Sequence, residues 1–126
     1  MQATLEHINF NVSDPKRTAD LICTIFGWKI RWEGPSDAGG YTCHVGNDQN
    51  YLAIDSEGTP RPSGIPRYAV RAGLNHIGVV VDDLDATEAR VRAAGYAPHH
   101  HADYEPGRRF YFRDHDEVEY EVVSYP

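Results

Sequence analysis

Two segments of the chain share one pattern, and this repeat constrains the fold more than any other feature. The first reads Leu5-Glu6-His7-Ile8, and the second reads Leu74-Asn75-His76-Ile77, 69 positions later. Each copy leads into a predicted helix that ends in glycine and an aromatic residue, Gly27-Trp28 and Gly95-Tyr96. Two such copies within 126 residues predict an internal duplication with one histidine at the same place in each half.

The first copy has the periodicity of a strand, a helix and three further strands. Residues 4–13 alternate, with apolar side chains at even positions from Ile8 to Val12 and His7 on the other face. Ser13-Asp14-Pro15 is typical of a helix start, and Gly27 of a helix end. Further strands are predicted at 28–32, 41–45 and 51–55, with a loop at 34–40.

The second copy repeats this order. A strand is predicted from Leu74 to Val81, and a helix from Asp82 or Asp83 to Gly95. Later strands are predicted at 96–100, 109–113 and 118–125, with 104–107 in a loop. The fold class is therefore α+β: two βαβββ modules in a single domain, 1–126. Module one covers 1–56, a Gly-, Pro- and Ser-rich linker covers 57–73, and module two covers 74–126.

Charge and composition limit the partners of the chain. A formal net charge of −7 argues against nucleic acids and anionic membranes. No apolar run approaches the ~20 residues of a membrane span, and the N-terminus lacks a signal-peptide pattern. Cys23 and Cys43 have neither metal-type nor redox-type spacing, so they are interpreted as reduced thiols. We therefore expect a cytoplasmic protein whose partner is a small molecule.

The repeated histidines suggest a metal site. If the modules pack pseudo-symmetrically, their first and last strands line one concavity that contains His7, His76 and a glutamate from the last strand, where Glu119 and Glu121 share one face. Two imidazoles and a carboxylate suit a divalent transition metal and leave positions open for substrate, water or dioxygen. A single strand histidine is more often a hydrogen-bonded core or surface residue, but its repetition favours the metal site.

The segments LEHINFNV, LNHIGVVV and FYFRDHDEVEYEVV resemble the vicinal oxygen chelate superfamily. That family contains glyoxalases, extradiol dioxygenases, bleomycin and fosfomycin resistance proteins, and methylmalonyl-CoA epimerases. The resemblance covers both modules and implies curled sheets that form a cupped metal site, in a homodimer. It also implies a divalent-metal enzyme that binds a small substrate through adjacent oxygens, with dioxygenase-like or lactoylglutathione-lyase-like chemistry. Fe(II) is favoured, with Mn, Ni or Zn as alternatives.

The resemblance also implies which residues form the site. Its metal-ligand positions fall on His7, His76 and Glu121, with Ala53 at the fourth position. Alanine cannot bind a metal, so the pattern is that of extradiol dioxygenases, which use two histidines and one glutamate. Glu119 is the competing carboxylate because it shares a face with Glu121.

Tyr111 lies ten residues before Glu121, where extradiol dioxygenases place an active-site tyrosine. Its hydroxyl can donate to an oxygen held at the metal, or the ring can simply fill the cup. Asn50 stands where those enzymes carry an acid–base histidine, and an amide cannot relay a proton. The alternative function is therefore a non-catalytic binding protein of the bleomycin-resistance type, whose acidic charge suits a cationic ligand.

Other histidines are less favourable candidates. His99, His100 and His101 cannot all point at one ion, so we expect a solvated surface, with one of them at most at the pocket rim. A uniform offset of 68 residues aligns His44 with Phe112. That alignment predicts that His44 faces the helix layer or solvent rather than the cup.

Two arginines and three aromatic residues leave alternatives open. Arg109 and Arg113 share a face with Tyr111 and can hold an anionic substrate group or pair with surface carboxylates. Three aromatic residues can line a binding wall or pack ordinarily: Trp28, Trp32 and Tyr41.

Overall fold

The computed structural model describes residues 1–37 and 39–126. They form two compact units, Met1–Pro62 and Ser63–Pro126. Each unit contains one four-stranded sheet and one α-helix in the predicted βαβββ order, so the α+β class and the two modules are confirmed. The treatment of the chain as a single domain stays a prediction.

In the first unit, the sheet has the strand order β1-β4-β3-β2. Its first strand runs parallel to its last, and the other neighbours are antiparallel. The helix packs on one face and buries Ile22 and Ile25 against Cys43, Val45 and Ile54 of the sheet. The elements are β1 (His7–Asn11), α1 (Pro15–Phe26), β2 (Lys29–Pro35), β3 (Tyr41–Gly46) and β4 (Tyr51–Asp55).

The second unit repeats this topology with the order β5-β8-β7-β6, and again the first and last strands are parallel. Leu84 and Val91 of its helix are buried on the side where Phe110, Phe112 and Tyr120 of the sheet are also buried. The elements are β5 (Ile77–Val80), α2 (Leu84–Ala93), β6 (His99–Tyr104), β7 (Gly107–Arg113) and β8 (Glu119–Ser124), preceded by a 3-10 turn at Arg67–Ala69.

Aspartate caps confirm both predicted helix starts, whereas α2 ends at Ala93, before the predicted Gly95. The side chains of Asp14 and Asp83 accept the backbone N–H groups of Arg17 and Ala86, which satisfies donors left free at a helix start. Gly27 ends α1 in the left-handed region at φ 71°, where a side chain would add strain. Among the described residues, no helix is long and apolar enough to cross a membrane.

Several predicted strand boundaries were wrong. The first strands are shorter than predicted, at His7–Asn11 and Ile77–Val80, because only these residues pair with the last strand of each unit. Ile8 is 44% exposed, so only part of the predicted apolar face of β1 is covered. β2 continues to Pro35, inside the predicted loop 34–40, where Ala38 lies outside the described residues.

The predicted strand 96–100 was also wrong, and the strand is His99–Tyr104. The N–H of Tyr96 donates to the carbonyl of Val91, so it still belongs to the end of α2. Pro98 then lacks the N–H that sheet pairing requires. Pairing therefore starts at His99, and the predicted loop at 104–107 is a two-residue turn between β6 and β7.

The two hairpins before the last strands differ in length, which corrects the alignment of His44. The connection after β3 spans 47–50, between the pair Gly46 and Tyr51, whereas that after β7 spans 114–118. His44 pairs with Ala53, as Tyr111 pairs with Glu121. His44 is thus equivalent to Tyr111, not Phe112, and faces away from α1.

The longer connection is stabilised by Asp114, whose side chain is buried. Its Oδ1 accepts the N–H groups of Asp116 (2.8 Å) and Val118 (3.1 Å), and its Oδ2 accepts the Tyr120 hydroxyl (3.1 Å). These bonds maintain the five-residue connection that sets the register of Glu121 against Tyr111. Burial raises the pKa of the Asp114 carboxyl, and the three hydrogen bonds oppose that rise.

We expect Asp114→Ala to lower the free energy of unfolding by about 2 kcal/mol or more, because it removes a buried carboxylate that accepts three hydrogen bonds. Asp48→Ala is the matched control in the shorter connection, where the side chain is 81% exposed and forms a surface ion pair with Lys29. Its effect should stay within about 0.5 kcal/mol. Urea unfolding measures both, and equal stabilities would contradict the role of Asp114.

Candidate functional site

The second unit presents a row of polar side chains on the sheet face away from α2. Alternate residues of β7 and β8 are buried toward the helix, so their neighbours lie on the opposite face. The register places Tyr111 opposite Glu121 and Arg113 opposite Glu119. The residues of this face are Arg109, Tyr111, Arg113, Glu119 and Glu121.

Glu121 is at the centre of one hydrogen-bond group. Its Oε2 accepts the Tyr111 hydroxyl at 2.5 Å and Nη1 of Arg109 at 3.3 Å, and its Oε1 lies 3.8 Å from Nε2 of His76. The hydrogen bond to Glu121, followed by burial, raises the pKa of Tyr111 to about 12. Tyr111 is therefore a protonated donor at neutral pH.

His76 is held in a defined tautomer by its sequence neighbour. Its Nδ1 lies 2.8 Å from Oδ1 of Asn75, and an amide oxygen can only accept. In the neutral imidazole, this contact favours the proton on Nδ1 and leaves a lone pair on Nε2, the ring nitrogen 3.8 Å from Oε1 of Glu121. In the first unit, Nδ1 of His7 lies 2.8 Å from Oε1 of Glu6, so the repeated histidine has the same kind of orienting acceptor in both copies.

The chemistry of this donor set fits a divalent metal ion. Two ligand atoms, each about 2.1 Å from one ion, lie about 3–3.5 Å apart in tetrahedral or octahedral geometry. The 3.8 Å between His76 Nε2 and Glu121 Oε1 is close to this separation. One imidazole lone pair and one carboxylate oxygen thus form two neighbouring ligands for an ion.

The competing carboxylate, Glu119, is already neutralised. It forms an ion pair with Arg67 and lies 3.5 Å from Nε of Arg113 and 3.7 Å from Nε2 of His99, with its side chain 12% exposed. Arg67 also donates from Nε to the carbonyl of Asn75, at 2.8 Å. Sequence reasoning missed Arg67, since nothing in the predicted linker distinguishes this arginine from its neighbours.

His99 lies at the edge of the candidate site. It pairs with Tyr111 across the sheet, and its Nε2 is buried, whereas His100 and His101 are exposed. A bulge follows His99, and His100 adopts a φ of 53°, with the ring centroids of His99 and His100 4.8 Å apart. His101 binds Glu88 at 2.8 Å. His99 is thus the one of the three histidines that lies beside the site, which the sequence left open for one of them at most.

In the first unit, three aromatic rings lie together on the face away from α1. Tyr51 lies between His7 and His44, with ring centroids 4.9 Å and 4.7 Å away. Burial lowers the pKa of His44. The chain carries Ala53 next to these rings, at the position equivalent to Glu121. Asn50 lies in the turn, where its N–H donates to Oδ1 of Asn47.

A shallow depression of about 380 Å³ adjoins these rings. Trp32 lies in its wall and is 52% exposed, whereas Trp28 packs on Phe26 and Tyr41 donates to Glu33. None of the described lining residues is a lysine or arginine. Three of them are acidic: Asp37, Asp55 and Glu57.

The predicted metal ligands are divided between the two units. His76 and Glu121 meet in the second unit, and His7 belongs to the first, so their joint binding of one ion stays a prediction. Within either unit, no three His, Cys, Asp or Glu side chains of residues 1–37 and 39–126 form a metal-binding group.

The chain was compared with known proteins. The family model described as the glyoxalase/bleomycin resistance protein/dioxygenase superfamily matches residues 4–122. No curated protein matches at a significant level. Among solved structures, a glyoxylase/bleomycin resistance protein/dioxygenase domain from Frankia sp. EAN1pec has 21% identity and a TM-score of 0.82, with 100% of both chains covered.

Two further solved structures are similar in fold. The fosfomycin resistance protein FosX from Listeria monocytogenes has 22% identity and a TM-score of 0.74, over 100% of this chain and 96% of FosX. A mutant of FosX was crystallised with Mn(II) and 1S,2S-dihydroxypropylphosphonic acid. TnmS3, an antibiotic binding protein from Streptomyces sp. CB03234, has 20% identity and a TM-score of 0.76, over 99% of this chain and 98% of TnmS3.

The family suggested by the repeated segments is thus confirmed over nearly the whole sequence. Paired βαβββ modules and the match over residues 4–122 show that the chain belongs to the glyoxalase/bleomycin resistance protein/dioxygenase superfamily.

Proposed function

We propose that the protein is a small enzyme that depends on a divalent metal held by His7, His76 and Glu121. The observation that carries this proposal is the placement of His76 Nε2, with its lone pair directed by Asn75, 3.8 Å from Glu121 Oε1. His7 has the same kind of orienting neighbour in the other module. Three ligands leave coordination positions for a substrate that binds through adjacent oxygens.

The bound ion would supply Lewis-acid chemistry to that substrate. Fe(II) is favoured because the two-histidine, one-carboxylate set is typical of Fe(II) oxygenases. Mn, Ni and Zn are the alternatives, and the Mn(II) of FosX supports a divalent ion in this fold. The reaction is dioxygenase-like or lyase-like, and we propose that it takes place in a cytoplasmic homodimer.

Tyr111 is the residue proposed to act on the substrate. Its hydroxyl remains protonated because Glu121 raises its pKa to about 12, so it can donate a hydrogen bond to a substrate oxygen. An ion bound by Glu121 would neutralise part of the carboxylate charge and would free the Tyr111 hydroxyl to donate to a substrate oxygen.

The second candidate function is small-molecule binding without catalysis. It is favoured by the depression in the first unit, where Trp32 and three carboxylates suit a cationic ligand. Ser36 Oγ and Asp55 Oδ1 of this depression are buried without a hydrogen-bond partner among the described residues. TnmS3, an antibiotic binding protein, shows that the fold accommodates that class of function.

Metal content separates the two functions. Protein purified without chelator should contain about one transition metal per chain, and His76→Ala should weaken metal affinity about a hundredfold or more. The matched control is His101→Ala, because His101 is exposed and contacts Glu88 and the ring of Phe110 rather than Glu121 in the part of the chain that the structure describes. Elemental analysis measures the content. Metal-free wild-type protein that binds a cationic ligand would support the second candidate instead.

The two glutamates of β8 should differ in their effect on metal binding. Glu121→Ala should abolish metal uptake, because it removes a ligand. Glu119→Ala should leave uptake largely intact, since Glu119 is engaged by Arg67 and Arg113. Thermal unfolding of both variants controls for loss of structure. Metal loss confined to Glu119→Ala would assign the ligand to the other carboxylate.

The ionisation of Tyr111 should report the charge on Glu121. Glu121→Gln removes the negative charge that raises its pKa, so the Tyr111 pKa should fall from about 12 toward the ordinary value of about 10. NMR of protein labelled with ¹³C at tyrosine Cζ measures this pKa, with Tyr111→Phe identifying the signal. An unchanged Tyr111 titration in Glu121→Gln would show that Glu121 does not control this hydroxyl.

A further inference from the structure

Arg109 is a largely buried cation with few partners. Its side chain is 13% exposed, and its Nη1 makes one long contact with Glu121 at 3.3 Å. Its Nε is buried and has no hydrogen-bond partner in the part of the chain that the structure describes. The guanidinium carbon lies 5.0 Å from the centroid of the Tyr104 ring. Since a guanidinium has five N–H donors, most of the hydrogen-bonding capacity of Arg109 is unused.

Among the described residues, the carboxylate that Arg109 contacts is Glu121, the one proposed to bind metal. Its contact oxygen, Oε2 of Glu121, also accepts the stronger bond from Tyr111 at 2.5 Å. An ion bound by Glu121 would compete for the same negative charge. A buried cation is strongly unfavourable when its counter-charge is removed, because its lost hydration is no longer compensated. An anion supplied by the ligand would restore the balance.

The charges around Arg109 also favour an anionic ligand. Three guanidinium groups lie around this face, on Arg67, Arg109 and Arg113, against two carboxylates. Two of these arginines already pair with Glu119, so Arg109 is the one whose counter-ion changes when a metal binds. The net charge of −7 is spread over the whole chain, and charges farther away than about 8 Å are largely screened at physiological salt.

We propose that Arg109 and Tyr111 form an oxyanion subsite, so that the substrate carries a carboxylate or phosphonate group beside its chelating oxygens. This inference rests on the proposed metal site of His76 and Glu121. The guanidinium plane, positioned by the Tyr104 ring, offers two parallel N–H groups to one oxyanion. The Tyr111 hydroxyl, which donates to Glu121 in the metal-free protein, would donate the third hydrogen bond to this oxyanion. This arrangement selects against a cationic ligand at the second unit.

The subsite can be tested without metal, because Glu121→Gln removes the competing charge and retains the shape of the side chain. Methylphosphonate is the probe, and its binding is measured by calorimetry. We expect metal-free Glu121→Gln to bind methylphosphonate at least about tenfold more tightly than metal-free wild type. Adding Arg109→Gln to Glu121→Gln should abolish this gain, whereas Arg109→Lys should retain only part of it, since lysine keeps the charge without the fork.

Arg113→Gln, added to Glu121→Gln, is the matched control. Arg113 lies on the same strand and face, but it pairs with Glu119, so the gain should persist. Thermal unfolding shows whether each variant is folded, and Arg109→Lys covers a failure of Arg109→Gln to fold. An absent gain in Glu121→Gln, or a gain that survives the loss of Arg109, overturns the subsite.

Metal-loaded wild type separates this proposal from the metal site. Acetohydroxamate, a chelator with adjacent oxygens, should bind metal-loaded wild type and metal-loaded Arg109→Gln equally, whereas methylphosphonate affinity should fall about tenfold in the variant. If metal-loaded wild type and metal-loaded Arg109→Gln bind methylphosphonate equally and each contains about one metal per chain, the subsite is contradicted and the metal site is not. The opposite outcome is wild-type protein that contains no metal, together with a Glu121→Gln variant that still gains methylphosphonate binding through Arg109. That outcome would contradict the metal site and support the subsite.

Discussion

The parallel pairing of the first strand with the last is the constraint on which each unit depends. In an antiparallel meander these two strands would be distant neighbours, yet here β1 lies against β4 and β5 against β8. The helix between the first two strands makes this crossover possible and covers one face of the sheet. The other face is left for chemistry, and the parallel register brings Gly78 next to Glu121 and places His76 one residue before β5.

The same frame holds different side chains in the two halves. At equivalent positions, the first unit carries Ala53 and His44 where the second carries Glu121 and Tyr111. One half therefore retains a carboxylate and a phenol in hydrogen-bond contact, and the other retains stacked aromatic rings around Tyr51. Duplication preserved the backbone register while the polar face of each copy became specialised.

Within the second unit, the pattern of counter-ions distinguishes two neighbouring glutamates. Glu119 pairs with Arg67 and Arg113, so its negative charge is compensated by two ion pairs within the unit. Glu121 has a phenol, one long contact to Arg109 and an imidazole lone pair beside it. A carboxylate held by donors that can be displaced is the better metal ligand, because binding an ion there does not leave a structural ion pair broken.

By itself the sequence determined the two βαβββ modules, both helices with their aspartate caps, and the superfamily, because these depend on local periodicity and on a repeat that is visible in the letters. It also determined that Tyr111 shares a strand face with Arg109 and Arg113, and Glu119 with Glu121, since alternation along one strand does not depend on its partner. Only the tertiary structure decided that His44 is equivalent to Tyr111, that pairing of β6 begins at His99, and that Arg67 neutralises Glu119. These features depend on one extra residue in a connection, on the hydrogen bond that ties Tyr96 to the end of α2, and on a side chain from a segment without periodicity. None of them changes the pattern of apolar residues from which register is predicted.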